Sequence, residues 1–367
     1  MKICHFTSAH SWNDIRIFVK QCSSLASFGF TVTLISPGAE TKRVNNVNII
    51  GISKKPKGRI GRMLFTSREV YKLAKNVNAD VYHFHDPELL FYGLKLKKSG
   101  KIVIYDVHED VPRQILSKFW INKYLRKSIS LLFEKYEDFI SAQSSGIITA
   151  TPHISKRFKL INYRTITVNN YPIINELSNP INWSLKKQQV CYIGSISSIR
   201  GNKHLVEAMN YFTDEQLVMA GKFSNSAFKM ELQNTTGWKN VNYIGNVDRK
   251  EVADVLSESK AGMVTFLPLP NHVDAQPNKM FEYMSAGIPV IASNFPLWRD
   301  IIEKNQCGIC VDPSNISDLV NAITKVLTNS TLAQEMGENG KSAVQNIYNW
   351  QVEFNKLVEF YKELVKK

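Results

Sequence analysis

Short apolar, β-branched runs alternate along the chain with longer stretches in which apolar positions recur every three to four residues. That alternation predicts strands joined by helices, the βαβ pattern of parallel sheets. In the first half the strand-like runs fall at 2–7, 31–37, 47–52, 81–86, 102–108, 146–152 and 165–172. The pattern restarts at 189–195 and continues through 217–222, 241–246, 262–268, 289–294 and 308–312. Between the halves, the stretch from Pro172 to Pro180 has little periodicity and reads as a linker. The predicted organisation is an α/β domain over 1–172, a linker over 173–187, a second α/β domain over 188–345 and a closing segment over 346–367. In that segment Val352, Phe354, Leu357, Val358, Phe360, Tyr361 and Leu364 give an amphipathic helix, packed on a domain surface and back toward the first domain. Ligands of parallel sheets bind at the carboxyl ends of the strands, so a cleft between two facing domains is the expected site.

The length of 367 residues suits two domains of about 100–200 residues each. With 44% apolar residues the chain can build two cores, and with 21% charged residues it does not read as carrying long disordered tails. The formal charge of +14 attracts nucleic acid, an anionic membrane face or phosphorylated small molecules. No nucleic-acid recognition motif accompanies it, so nucleic acid is not an expected partner. Met1 runs directly into a strand without a signal peptide, and no apolar run approaches the ~20 residues that span a bilayer. The expected location is cytoplasmic.

Basic residues cluster from Lys54 to Arg62 and again from Lys118 to Lys127. The second run interleaves Phe119, Trp120 and Tyr124 with its cations, as an interfacial helix does. It reads either as a solvated surface or as attachment to an anionic inner leaflet, peripheral to the membrane. The five cysteines include a lone pair at Cys307 and Cys310 with no second pair to complete a zinc site. They read as buried structural thiols.

The most informative stretch runs from Asp274 to Ser293. Pro277 suits the first position of a helix that Gly287 stops. The amides near Asn278 form an anion site, and Lys279 adds a full charge where a lysine disfavours the helix alone. Glu282, one turn on, can accept from sugar hydroxyls beside that anion. Further glycine corners follow the strand-like runs at Gly194, Gly221 and Gly245.

This segment resembles the donor site of glycosyltransferase family four, retaining enzymes of GT-B architecture. The resemblance implies two facing Rossmann-like domains with a deep cleft between them. Glu282 matches the second glutamate of the family's pair, which holds the nucleotide ribose, and Asp274 stands where the family has the first, at the transferred sugar and the reaction centre. After Gly194 the family has an arginine, here Ser195, and a Lys-Gly pair, here Arg200-Gly201. Arg200 and Lys203 are therefore assigned to the diphosphate. The corner Gly245-Asn246-Val247 falls near the nucleobase.

In the first half, Ser8 to Ile17 resembles a bacterial branch associated with surface polysaccharides. By the same resemblance His108 lies beside the donor sugar, with His10, Trp12, Arg16, His85 and Glu109 on the acceptor side. Asp14 also suits a helix cap.

The implied reaction moves a hexose or N-acetylhexosamine from a nucleotide-diphosphate sugar, UDP- rather than GDP-linked, to a glycan or lipid-linked hydroxyl. The sugar nucleotide is a co-substrate, and no metal or other cofactor is implied. Three rivals remain: an epimerase of nucleotide sugars with the same fold, a non-catalytic nucleotide-sugar-binding subunit, since Asp274 and Ser195 depart from the family pattern, and a metal-dependent hydrolase using His83, His85, Asp86, Asp106, His108 and Asp110.

Overall fold

The computed structural model describes residues 1–52, 58–118, 120–179 and 181–366. Two compact units are present: Met1–Asn170 with Gln351–Lys367, and Tyr171–Trp350. Residues 53–57 of the first basic run, residue 119 of the second and Pro180 lie outside the described residues.

The first unit holds β1 (Lys2–Phe6), β2 (Thr31–Pro37), β3 (Lys42–Val44), β4 (Val47–Ile52), β5 (Val81–Phe84), β6 (Ile102–Val107), β7 (Gly146–Thr149) and β8 (Thr165–Thr167). Their order is β3-β4-β2-β1-β5-β6-β7-β8, parallel except for the β3–β4 pair. β3 has no counterpart among the predicted strands because three residues carry no periodicity. Its signal is the turn: Asn45 and Asn46 both take positive φ (50° and 62°), as a tight antiparallel hairpin requires.

The central strands are buried on both faces, which suits helix-covered parallel sheets. The faces differ in chemistry. One stacks Phe6, Phe84 and Tyr105 into an apolar core, with Phe84 and Tyr105 ring centroids 4.8 Å apart. The alternate positions of the same strands carry His5, His83 and Asp106, all fully buried. Helix Trp350–Val365 belongs to this unit, with Glu353 accepting from the Asn169 amide at 2.8 Å. Gly146 makes room for it: a Cβ there would sit 2.5 Å from the Phe360 ring.

The second unit holds β9 (Gln189–Ile193), β10 (Gln216–Ala220), β11 (Val241–Gly245), β12 (Ala261–Val264), β13 (Val290–Ser293) and β14 (Gly308–Val311). All are parallel, in the order β11-β10-β9-β12-β13-β14. The chain winds outward from β9, then returns to its other side at β12. That reversal opens a crevice at the carboxyl ends of β9 and β12, and the first unit has the same reversal between β1 and β5.

Two expectations need correction. The segment after Tyr171 is not a free linker: Tyr171 and Leu177 are buried in the second unit's core, and the Trp350 amide donates to Pro172 O at 2.8 Å. The run from Lys118 to Lys127 is not a helix. Helix Val111–Ser117 ends before it, helix Arg126–Gln143 starts near its end, and the described residues between them lie in turns and bends. The cysteines are free thiols; burial pushes Cys307 up to about 12 and Cys310 up to about 11, so neither is primed to react.

Candidate functional site

In the second unit, Gly194 follows β9 at φ +123° and donates its amide to Ala220 O at 2.8 Å. A Cβ there would lie 3.1 Å from Lys279 Nζ and 3.7 Å from Arg200 Nη1, so both cations converge on the space the glycine leaves open. Gly201, at φ +68°, lets the chain pass the end of β12, where a Cβ would strike Thr265 O at 1.9 Å. That close approach sets the Arg200 guanidinium 5.1 Å from the Phe266 ring.

Lys279 is buried, 3.6 Å from the Tyr192 ring centroid, and its ammonium has no hydrogen-bond partner among the described residues. Burial first, and then neighbouring Arg200, push it well below the ordinary lysine value. It sits in the first turn of helix Asn278–Ser285, which has no side-chain cap and no acidic residue there. Pro277 is extended and lies one residue outside the helix, not at its first position as expected. Open amides, a positive helix end and two unneutralised cations together favour an anion with several oxygens.

The approach to that helix is anchored from below. Trp298, fully buried, donates from Nε1 to Ala275 O at 2.6 Å, which holds the loop carrying exposed Asp274. Beyond the first turn, Glu282 accepts from Arg249 Nη1 at 2.7 Å. Arg249 is held by Glu176 through Nε at 2.9 Å and Nη2 at 2.8 Å. Arg249 opens the helix that follows the Gly245-Asn246-Val247 corner, where Gly245 has φ +79°, Asn246 is exposed and Val247 packs on the core. Arg200, Lys279 and Gly194 are thus brought together. Lys203 is not among them: its ammonium pairs with Glu231 at 2.7 Å on the surface.

In the first unit Asp106 is the hub. Its Oδ1 accepts from Arg16 Nη2 at 2.8 Å, and its Oδ2 from Gln21 at 2.8 Å and Arg16 Nε at 3.3 Å. His85 Nδ1 and His108 Nε2 each lie 3.3 Å from Oδ2, and His83 Nε2 lies 3.5 Å away. Behind them His5 Nδ1 meets His85 Nε2 at 3.0 Å, and Tyr361 Oη meets His83 Nδ1 at 2.5 Å. Burial alone would raise Asp106, but Arg16 and the histidines outweigh it and hold it well below the usual carboxylate range. Burial pushes His5, His83 and His85 down, so these three rings favour their neutral form beside the Arg16–Asp106 ion pair.

The rim is more open. His108 and His10 rings stand 5.2 Å apart, and both retain exposed surface. His10 spans Asp14 (3.4 Å) and Asp86 (3.5 Å); burial opposes its charge, yet these carboxylates raise its pKa. Asp14 also caps helix Ile15–Cys22, accepting from Arg16 N and Ile17 N at 2.9 Å each.

Two acceptor-side assignments change. Arg16 is buried, spent on Asp106 and on Val168 O at 2.8 Å, and His85 is buried inside the nest. Trp12 packs edge-on against Phe18 beneath Lys42, while Glu109 is exposed and bonded by Gln114. His85, Asp106 and His108 are close enough to share an ion, yet Arg16 and Gln21 already occupy Asp106.

The sequence did not mark His5, Gln21, Tyr361, Glu176 or Arg249 as site residues. His5 had a usable signal: it pairs in register with His83, and a polar residue inside a strand buried on both faces is an anomaly. The other four lie on helices or in the supposed linker, where polar residues raise no flag.

Two family descriptions match the chain in tandem: Glycosyltransferase Family 4 over residues 16–168 and Glycosyl transferases group 1 over residues 174–343. The chain belongs to the GT-B glycosyltransferases of the family-four type. Among curated relatives, this glycosyltransferase is 23% identical over 182 residues to a capsular polysaccharide biosynthesis glycosyltransferase of Staphylococcus aureus. That match covers 48% of this chain and 46% of the relative, so the chain spans about half the length of the relative it matches. Its fold is similar to that of a sucrose-phosphate synthase from Thermosynechococcus elongatus, with a TM-score of 0.79, 17% identity, and 99% and 98% of the two chains covered. It is also similar to Anabaena HepE solved with UDP-glucose, with a TM-score of 0.75, 12% identity, and 99% and 100% covered.

Proposed function

We propose that this glycosyltransferase moves a hexose or N-acetylhexosamine from a UDP-sugar to a hydroxyl of a glycan or lipid-linked acceptor, with retention, in cell-surface polysaccharide synthesis. The observation that carries this reading is the convergence of Arg200 and the partnerless Lys279 on the space beside Gly194. Two cations at a strand-end crevice, with an uncapped helix start, suit a diphosphate. The structures of Anabaena HepE with UDP and UDP-glucose support the choice of base.

Arg200, Lys279 and the amides at Asn278 steady the leaving diphosphate, and Glu282 takes the ribose beside the Gly245–Val247 corner. His108 and Asp274 orient the transferred sugar. His10 and Glu109 serve the acceptor, while Arg16 and His85 act by positioning Asp106 and His108. The departing phosphate takes the acceptor proton as the new glycosidic bond forms on the face the diphosphate leaves. The protein then supplies charge stabilisation and placement, with no metal or other cofactor. The proposed place of action is the cytoplasm, at the inner face of a membrane.

Thermal stabilisation by UDP, GDP and ADP in EDTA tests the donor site, because a ligand that binds only the folded state raises Tm. The expected result is a shift with UDP that Arg200→Ala and Glu282→Ala abolish. No shift with any nucleotide, together with one on adding zinc, overturns the reading in favour of a metal-dependent hydrolase at His85, Asp106 and His108. Proton NMR of the first product formed from a UDP-sugar decides between retention and inversion.

A further inference from the structure

We infer that the outward side of helix Arg126–Gln143, with the turns preceding it, docks on an anionic lipid bilayer. The helix faces inward through Ser130, Glu137, Ile140 and Ser141, which are buried. Its other side carries Leu131, Leu132, Tyr136 and Phe139, exposed by 49%, 69%, 42% and 65%. These four recur at helical spacing, so they form one stripe rather than scattered contacts. A stripe of large apolar side chains left in water marks an interaction surface.

The charges around the stripe say what covers it. Lys135 is exposed within the stripe's sector, one turn from Leu131, Leu132 and Phe139, and Lys127 is exposed at its flank, one turn before Leu131. The turns before the helix add Lys123 over Tyr124, 4.9 Å from its ring, and Lys118 near Trp120. The helix's acids are drawn elsewhere: Glu134 pairs with Arg113, and Glu137 and Asp138 pair with Arg157. The outward side therefore offers apolar bulk and positive charge, the pairing that interfacial helices present to anionic lipid.

A second copy of the chain would bring like charges onto like charges across a two-fold axis, which disfavours self-association. No helix among the described residues is long and apolar enough to cross a membrane, so docking lies in the interface plane. The surface alone carries this inference. Its purpose, delivering the enzyme to a lipid-linked acceptor, rests on the proposed function.

The test is co-sedimentation of the full chain with phosphatidylcholine vesicles, pure or mixed with an equal amount of phosphatidylglycerol, with UDP stabilisation measured in parallel. Wild type is expected to bind the mixed vesicles, and to release them as salt rises. Lys127→Gln with Lys135→Gln is expected to lower partitioning about 25-fold, since each cation near the surface contributes roughly fivefold. Leu132→Ser with Phe139→Ser is expected to lower it about tenfold or more. Both double variants alter exposed positions and keep the wild-type Tm and UDP response. Equal binding to both vesicle types, no binding to either, or variants that bind as wild type overturn the inference. So does a wild-type dimer that Leu132→Ser with Phe139→Ser converts to a monomer while vesicle binding persists. Failure of UDP stabilisation with vesicle binding intact strikes the donor reading alone.

Discussion

The two sheets place polar chemistry at their strand ends in opposite states. In the first unit a single carboxylate, Asp106, is bonded by Arg16 and Gln21 and ringed by three histidines. In the second unit the buried Lys279 ammonium has no acceptor among the described residues and faces another cation. The Asp106 carboxylate is satisfied by the nest's own residues, so its charge is worth most to stability and geometry. The basic pair is satisfied only by something from outside, so its charges are worth most to binding. A buried charge without a partner persists in a fold where a ligand supplies that partner.

The largest effect expected from breaking this contrast is Asp106→Asn. It leaves the Arg16 guanidinium buried without its anion, at a cost of about 3–5 kcal/mol. Calorimetry should show the first unit melting about 6–20 °C lower, while UDP still stabilises the second. A variant that melts like wild type removes Asp106 as the keystone. Next comes Arg200→Ala, which is expected to weaken UDP binding about 100-fold, from the loss of a charge-assisted contact near 3 kcal/mol. Its Tm without nucleotide should stay near wild type, because the guanidinium is half exposed. Calorimetric titration separates the two outcomes.

Acid separates the units further. His5, His83 and His85 are held neutral by burial, whereas in the unfolded chain they titrate near 6.5. Below that pH the unfolded state takes up protons the folded state refuses, so stability falls as pH falls. The loss is about 1.4 kcal/mol per histidine for each pH unit. His10, whose pKa is raised, acts in a different window: its contribution grows as pH falls from that raised value toward 6.5 and is constant below, so it does not offset the acid decline. Urea unfolding followed from pH 7.5 to 5.5 should show the decline in the first unit. A flat profile would mean the nest already carries charge at neutral pH.

The fold was legible because buried parallel strands are apolar runs, and thirteen such runs were visible in the sequence; β3, set by an Asn-Asn turn, was not. The basic pair was legible too, Lys279 as a local oddity in a first helical turn and Arg200 through the resemblance of Arg200-Gly201 to the family's Lys-Gly pair. The tertiary bookkeeping was not legible. Nothing near Arg16 announces that it reaches Asp106, ninety residues away, so the sequence placed it on the acceptor side. Nothing near Glu282 announces Arg249 and Glu176, because the three meet only when helix Arg249–Glu258 packs beside the segment that looked like a linker. Local anomalies expose a missing ligand, whereas a satisfied network hides its members.

The smallest and most diagnostic change is Lys279→Met. In the folded, ligand-free protein the ammonium is depressed by burial and Arg200, while in the unfolded chain it titrates near 10.4. Between those two values the unfolded state holds a proton that the folded state lacks, so wild-type stability rises as pH rises through the window. Methionine keeps the stem over Tyr192 and removes the charge. The variant is expected to gain about 1 kcal/mol and to melt about 2–4 °C higher, without the alkaline rise, and to lose its response to UDP. Stabilisation without nucleotide and deafness to nucleotide must appear together, because both follow from one unpaired ammonium. If Lys279→Met is instead destabilised, the ammonium over Tyr192 is structural, and the contrast between the two units collapses to a difference of degree.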